Sequence, residues 1–465
     1  MTITIFGVVV LLIGCLLLVR GSKVAMLSFV MLMSLMSGAG AFVLTGLGGS
    51  TVPPAAAAMP FLIVRCLLPG QQNSALGDAV RANLWLVLFC LYGSFSAYVL
   101  PRIFAGAISV TPLRPIPTGD PFVTFPLAFS AQNMTVSAYL LLTMMAGICA
   151  YSVSRTSGAA RRIARMAAIV AILHATFGFA SVLFAGTPLA AVLEFFRNGF
   201  YAQLDQTVSG LVRMNGIAPE PSGYASFGFI YFVLNTELWL RDVDVRWTRF
   251  ASLFLGSALL MSTSSTAYVG LGGYAIIAGL RAMAFPGSVS LVKSLALASL
   301  VLIAAIGVVI VLIAMPELAD VVGRVATRVL LEKGDTLSGE QRMFWALQGF
   351  HAFWSTGGLG IGMGSFRSSS ILTAILGSTG AIGILTYFAH LLRVFQPLRQ
   401  STYGVGGGLE QRLGVAASWT VVAIVIPAAA TAATPDPGMI WGMLGGLALG
   451  FRTNVEAFHK VSDHV

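Results

Sequence analysis

Apolar runs of about twenty residues recur along the chain, separated by short polar or glycine-rich segments. Helical runs of this length match a bilayer core, and they lack the alternation of membrane-spanning β-strands. The pattern predicts an all-α polytopic membrane protein, a single membrane domain over residues 1–465, with 12 or 13 transmembrane helices. The predicted spans cover about 3–19, 24–46, 84–100, 136–154, 166–186, 223–240, 250–264, 266–282, 295–315, 371–391, 413–432 and 438–452, with an ambiguous proline-bounded run at about 54–70.

Basic residues predict the orientation of these spans. Four arginines fall in the segment RTSGAARRIAR, which we interpret as a cytoplasmic loop: Arg155, Arg161, Arg162 and Arg165. This orientation puts the two long segments, 187–222 and 316–370, on the outer side of the membrane. The C-terminus is then on the inner side. The N-terminus is outside with 13 spans and inside with 12.

Composition supports the same class of protein. Hydrophobic residues make up 57% of the chain and charged residues only 9%, against about a quarter in a soluble chain. The net charge of +10 follows from basic cytoplasmic segments and is no argument for nucleic acid. We expect no metal and no cofactor, because no His, Cys and carboxylate cluster has ligand spacing. The cysteines all lie in apolar runs: Cys15, Cys66, Cys90 and Cys149.

The end of the first long loop, LVRMNGIAPEPSGYASF, has features of an anion site. Ser222 is a natural N-cap for the following span. Arg213 and Glu220 are then held near a helix N-terminus at the outer surface. Such a terminus favours phosphate, and arginine adds a fork of donors. The alternative is a plain cap beside an arginine that snorkels to the interface.

The second long loop predicts two helices. ELADVVGRVATRVLLEK is amphipathic and is expected to lie along the membrane surface. Ser338 and Gln341 form a capping-box pattern that starts QRMFWALQGFHAFW. Arg342 lies in the first turn of this helix, where a cation is mildly unfavourable. Either it faces an anionic ligand or it pairs with Glu340 or Asp335.

A glycine-rich turn, GGLGIGMGSFRSSS, leads into the next span. Gly360, Gly362 and Gly364 would let backbone N–H groups approach a ligand. The turn is neither a Rossmann fingerprint nor a P-loop, because the accompanying strand, acid or Lys-Ser/Thr is missing. The alternative is a flexible turn into the span. Arg367 follows directly and is a further candidate for binding an anion.

Together these features resemble the O-antigen ligase and polysaccharide polymerase superfamily. An Arg…Gly…Glu-Pro-Ser segment opens one span, and a large external loop follows in which Arg342 precedes Trp345 by three positions. A span containing LGSTGAIG comes after a G-x-G-x-G-S-F turn made by Gly360, Gly362, Gly364, Ser365 and Phe366. The resemblance covers about residues 205–390.

The resemblance implies a C-type membrane glycosyltransferase that acts on the periplasmic face without a metal. The donor sugar is carried on undecaprenyl diphosphate. By motif match, Arg213 and Arg342 hold the diphosphate, with Arg367 as a third candidate. Ligases of the family carry a His-Asn pair where this chain has Ser368-Ser369-Ser370, which favours a polymerase. No general base is inherited.

The implied reaction is attack by a hydroxyl of one lipid-linked repeat unit on the anomeric carbon of another. Glu220 is the candidate base, since a carboxylate can accept the hydroxyl proton. Implied partners are the lipid bilayer, a flippase and a chain-length regulator, in a bacterial inner membrane. One alternative is an O-antigen ligase that transfers polymer to lipid A core. The other is a lipid-linked oligosaccharide flippase, which is disfavoured because no internal repeat is visible.

Overall fold

The computed structural model describes residues 2–44, 50–68, 75–114, 120, 122–199, 207–208, 211–285, 292–293, 295, 299 and 337–462. The protein is mostly helical. Its described helices are α1 (Ile5–Arg20), α2 (Lys23–Met33), α3 (Pro54–Leu67), α4 (Ala75–Ala82), α5 (Leu84–Ile103), α6 (Ala131–Ser154), α7 (Ala159–Leu183), α8 (Ala190–Phe195), α9 (Pro221–Leu240), α10 (Val245–Met261), α11 (Ser265–Ala284), α12 (Leu337–Ser355), α13 (Ile371–Phe395), α14 (Leu409–Thr431) and α15 (Met439–Ser462).

Six of the helices in these ranges are long and apolar enough to cross a membrane: α5, α6, α7, α11, α13 and α14. Shorter apolar helices are α1, α2, α3 and the Met439–Arg452 part of α15. This confirms the coarse prediction of a helical membrane protein. The predicted span at about 295–315 is described only at positions 295 and 299. The predicted surface helix from 317 lies outside the described residues.

Short strands supplement the helices. They are β1 (Thr2–Ile3), β2 (Phe42–Leu44), β3 (Ser50–Val52), β4 (Ser109–Val110), β5 (Phe125–Pro126), β6 (Thr207–Val208) and β7 (Leu211–Val212). The first three form an antiparallel sheet in the order β1-β2-β3, and the others form the two-stranded pairs β4-β5 and β6-β7.

The predicted span at about 24–46 is wrong in its second half. Helix α2 ends at Met33, and the chain turns before it enters β2. Gly38 packs against the first long loop, where a Cβ would lie 2.5 Å from the carbonyl oxygen of Ile217. The backbone N–H of Gly40 donates to Asn198 at 2.8 Å. These contacts with the loop replace the helical hydrogen bonds of the predicted span.

The interpretation of RTSGAARRIAR as a loop is also wrong. Helix α6 ends with Arg155 as its C-cap, and α7 already begins at Ala159. Arg161, Arg162 and Arg165 therefore lie on the first turns of α7. The connecting turn is short because Gly158 adopts a left-handed conformation, with φ of +71°.

Helix α3 runs between the two ends of the bundle formed by α1 and α2. Its basic end lies beside the end of α1, since Arg65 Nε donates to the carbonyl of Gly21 at 3.0 Å. Its start follows β3, which lies in the same sheet as the N-terminal strand β1. Because β1 pairs with β2, and Gly40 just before β2 contacts Asn198, the N-terminal strand lies on the side of the 187–222 loop. This is the arrangement expected if the ambiguous run crosses the bundle.

Helices α6 and α15 pack with their backbones in close contact. The carbonyl oxygens of Thr143 and Gly147 lie where Cβ atoms at Gly442 and Gly446 would be. Small residues let two membrane helices approach closely, which increases van der Waals contact. The glycine positions thereby determine how closely the two helices can pack.

We predict that Gly446→Ala destabilises the protein by about 1–3 kcal/mol, because its Cβ would overlap the backbone of α6. Thermal unfolding in detergent, followed by tryptophan fluorescence, measures the effect. Gly272→Ala in α11 is the matched control, since nothing lies within 4 Å of its Cβ position. The control should be neutral or gain up to about 1 kcal/mol. Equal stability of both variants would contradict the close-packing interpretation.

Candidate functional site

The first long loop delivers Glu220 to the start of α9. The prediction of Ser222 as N-cap is wrong, because α9 starts at Pro221 and Glu220 is the N-cap residue. Proline favours the first helical position, since its φ is preset and its missing N–H has no helical partner there. The Glu220 carboxylate makes no cap hydrogen bond and instead accepts one from the Ser222 hydroxyl.

Arg213 connects the same loop to the hairpin of α10 and α11. Its Nη2 donates to the carbonyl of Thr263 at 3.5 Å. Thr263 lies at the hairpin tip with φ of +49°, a left-handed conformation that is uncommon for a β-branched residue. The tip thereby presents a carbonyl oxygen to the guanidinium and positions it at this end of the bundle.

The second long loop holds Arg342 and Arg367 through backbone contacts. Ser369 Oγ donates to the carbonyl of Arg342 at 2.6 Å. Gln348 on α12 binds Thr111 reciprocally: its Oε1 accepts from the Thr111 N–H at 2.9 Å, and its Nε2 donates to Oγ1 at 2.8 Å. The Thr111 carbonyl accepts from the N–H of Arg367 at 2.9 Å. One segment after α5 therefore anchors both parts of the loop.

Arg367 lies over the indole ring of Trp345, with its guanidinium carbon 4.6 Å from the ring centre. Stacking on an aromatic face holds a guanidinium in place without using its donors. The Nε of Arg367 and the Nε1 of Trp345 are both buried and have no hydrogen-bond partner within the described part of the chain. Two donors are thus left for a polar ligand. The spacing in the sequence marks Trp345 but carries no signal of this stacking.

The charges of the two loops converge. Burial lowers the pKa of Arg213, the charge of Arg342 lowers it further, and the Glu220 carboxylate raises it. Burial likewise lowers the pKa of Arg367, with the same two opposing influences from Glu220 and Arg342. Both guanidinium groups remain charged at neutral pH. All four predicted side chains therefore lie within electrostatic range, with three cations to one carboxylate.

Two of the three glycines that were predicted to offer N–H groups to a ligand use them within the protein instead. The N–H of Gly360 donates to Thr356 Oγ1, and that of Gly362 donates to the carbonyl of Ser378, both at 2.8 Å. The second carbonyl is released because Gly380, with φ of +61° and ψ of −152°, interrupts α13. The turn is therefore a structural partner of the broken helix.

The alternative of a flexible turn is not supported either. The turn packs tightly between α5 and α6: a Cβ at Gly362 would lie 2.6 Å from the ring of Pro101, and one at Gly364 would lie 2.7 Å from the carbonyl oxygen of Gln132. Residues 360–366 are all buried. This buried turn holds α12 on one side and Arg367 on the other.

In the described ranges, no group of three or more His, Cys, Asp or Glu side chains is placed to hold a metal ion. No family model matches this chain, and no curated protein matches it significantly in sequence. What the fold and the site define is a helical membrane protein with a partly buried, net positive site at one end of its bundle. The family resemblance stays a prediction.

Replacement of Gln348 by Leu should destabilise the protein by about 1–3 kcal/mol. It leaves the N–H and hydroxyl of Thr111 buried without their partner. Thermal unfolding of purified protein measures the loss. Ser355→Ala on the exposed side of α12 is the control, because Ser355 Oγ donates only within its own helix. A stable Gln348→Leu variant would show that this pair does not hold the second loop in place.

Proposed function

We propose that this chain is a bacterial polysaccharide polymerase, a membrane glycosyltransferase that joins oligosaccharide repeat units carried on undecaprenyl diphosphate at the periplasmic face. The observation that carries the proposal is that Arg213 and Arg367, one from each long loop, both lie within electrostatic range of Glu220 and of Arg342 at one end of an apolar helix bundle. The substrate it suits has an anionic headgroup on a lipid tail and a sugar that must be transferred.

The cationic groups match a diphosphate leaving group. Guanidinium groups present donors in a planar fork that suits phosphate oxygens, and partial burial strengthens their attraction for an anion. Arg213 and Arg367 are both partly buried. Cations positioned in advance stabilise the charge that develops as the bond to the diphosphate breaks. They would therefore contribute to the rate as well as to binding.

Glu220 is suited to the role of general base. A hydroxyl oxygen of the acceptor repeat unit attacks the anomeric carbon, and the bond from that carbon to the diphosphate oxygen breaks with its electron pair. The acceptor proton passes to the Glu220 carboxylate. A hydrogen bond from Ser222 holds this carboxylate beside the start of α9. Direct displacement inverts the configuration at the anomeric carbon.

The serines after the glycine-rich turn favour a polymerase over a ligase. Ser368 Oγ and Thr373 Oγ1 lie within hydrogen-bond distance at 2.9 Å, and Ser369 binds the backbone of Arg342. Both hydroxyls have structural partners, and neither is paired with a base among the residues that the structure describes. The ligases that the sequence resembles have a His-Asn pair at this position. A ligase reaction in this chain would need other residues in place of that pair.

Arg213→Ala and Arg342→Ala should leave only single repeat units on the lipid carrier, because the diphosphate loses its cations. Gel analysis of polysaccharide from cells that carry each variant measures polymer length, with protein level and membrane insertion checked. Arg102→Ala is the matched control, since this exposed arginine at the end of α5 contacts Tyr98 and Phe129 instead.

Other outcomes of that experiment point elsewhere. Long polymer that is no longer attached to lipid A core would favour the ligase. Normal polymer in both variants would contradict the proposal and reopen the flippase alternative. Reduced polymer in the Arg102→Ala control would indicate a general defect of the outer surface.

Glu220→Gln should slow polymerisation by about 10²–10⁴-fold, since the amide cannot accept the acceptor proton. Initial rates with purified protein and a lipid-linked repeat unit measure the loss. Glu340→Gln, at an exposed carboxylate in the first turn of α12, is the control. Full activity of Glu220→Gln would rule out the base role but leave the diphosphate site intact.

A further inference from the structure

A second concentration of buried charge lies at the opposite end of the bundle. Glu237, in the last turn of α9, is fully buried. It accepts hydrogen bonds from Tyr274 at 2.6 Å and from Arg281 at 2.9 Å, and it forms an ion pair with Arg241. The carboxylate is thus surrounded by donors and is a structural group, unlike Glu220.

Two further arginines complete what we call the basal arginine cluster, made of Arg241, Arg281, Arg412 and Arg452. Arg412 Nη1 donates to the carbonyl of Arg241 at 3.2 Å. Arg452 Nη2 donates to Thr402 Oγ1 at 3.1 Å, and its charge acts on that of Arg241. The cluster lies where α9 and α13 end and where α14 begins, which is the level of one surface of the bundle.

Positive charge in the cluster exceeds negative charge. Nearby Lys293 is already paired with Asp242 at 2.6 Å. Within the cluster, Arg241 and Arg281 pair with Glu237. Even if Glu410 in the first turn of α14 is counted, the four guanidinium groups have only two carboxylates to balance them. At least two positive charges remain in excess within the described part of the chain. Buried cations without a counter-charge are costly, so an anion from outside the chain would be stabilising.

Several guanidinium N–H groups of the cluster are not used by its hydrogen bonds. Arg241 is only 1% exposed, yet it uses Nη1 alone. Its Nε and Nη2 have no partner among the described residues, and the Nε atoms of Arg412 and Arg452 also have none. The Nη1 atoms are occupied because they cap carbonyl groups at helix ends. Capping does not account for the Nε and Nη2 donors that have no partner. Adjacent Nε and Nη2 donors form the fork that binds two oxygens of a phosphate.

We propose that the basal arginine cluster binds the phosphate group of an anionic ligand, independently of the proposed function of the chain. Two sources share this chemistry: the headgroup of an anionic phospholipid and a soluble phosphate. The cluster is reached through Arg412, whose side chain is only half-buried. Basic pockets between membrane helices at the surface level are suited to lipid phosphates. The ligand neutralises the excess charge and fills the unused donors.

The test uses the full chain in nanodiscs of phosphatidylcholine alone, with added phosphatidylglycerol, and with inorganic phosphate in place of phosphatidylglycerol. A ligand that binds only the folded state raises the unfolding temperature. The wild type should therefore be stabilised by the added anion. A rise with phosphatidylglycerol alone identifies the lipid headgroup, and a rise with inorganic phosphate identifies a soluble source.

Variants separate a built site from general attraction. Arg412→Gln and Arg452→Gln should lose at least half of the stabilisation by the anion, even if their starting stabilities differ. Arg452→Lys should lose part of it, because it keeps the charge but loses the Nε donor. The control Arg161→Gln, at an exposed arginine on α7, should keep all of it.

Two results would overturn the proposal. One is an unchanged unfolding temperature of the wild type with either anion. The other is an equal loss of stabilisation in Arg161→Gln and Arg412→Gln, because general attraction between basic residues and an anionic surface would then account for the effect.

Discussion

A chain that lies in lipid must satisfy its backbone hydrogen bonds internally. At one place in this protein, carbonyls of an interrupted helix are satisfied by N–H groups of a loop, and the rest of the candidate site depends on this pairing. Gly380 interrupts α13, and the carbonyls freed at Gly377 and Ser378 accept the N–H groups of Ile361 and Gly362 at 2.9 and 2.8 Å. The glycine-rich turn is therefore locked against the broken helix. This pairing therefore positions Arg342, which precedes the turn, and Arg367, which follows it.

The two ends of the bundle place the same residue types in different surroundings. Each end has several arginines with one central carboxylate, Glu220 or Glu237. Glu237 is sealed by Arg241, Arg281 and Tyr274, so its charge is used within the protein. Glu220 is half-buried and accepts from the neighbouring Ser222. The two carboxylates therefore differ in solvent access and in partners, and the catalytic role that we propose requires the access that only Glu220 has.

Loop position and charge were enough to select the four charged residues of the candidate site. Arg213 and Glu220 precede a helix start, Arg342 lies in the loop helix, and Arg367 follows the glycine-rich turn, so each had a local signal in the sequence. No such signal marked Thr111 or its pairing with Gln348, because the two are 237 positions apart. The glycines were misread for a related reason: a flexible turn, a ligand loop and a packed turn have the same composition.

By itself the sequence determined that this is a helical membrane protein and where most of its helices lie, because long apolar runs must be helical in lipid and are visible in the sequence by their length. Only the tertiary structure decided where α2 stops, that α13 is broken at Gly380, and that two distant loops bring their charges together. Those outcomes depend on contacts between segments far apart in the chain. Such contacts are set by the fit of side chains and backbone in three dimensions, which no local pattern records.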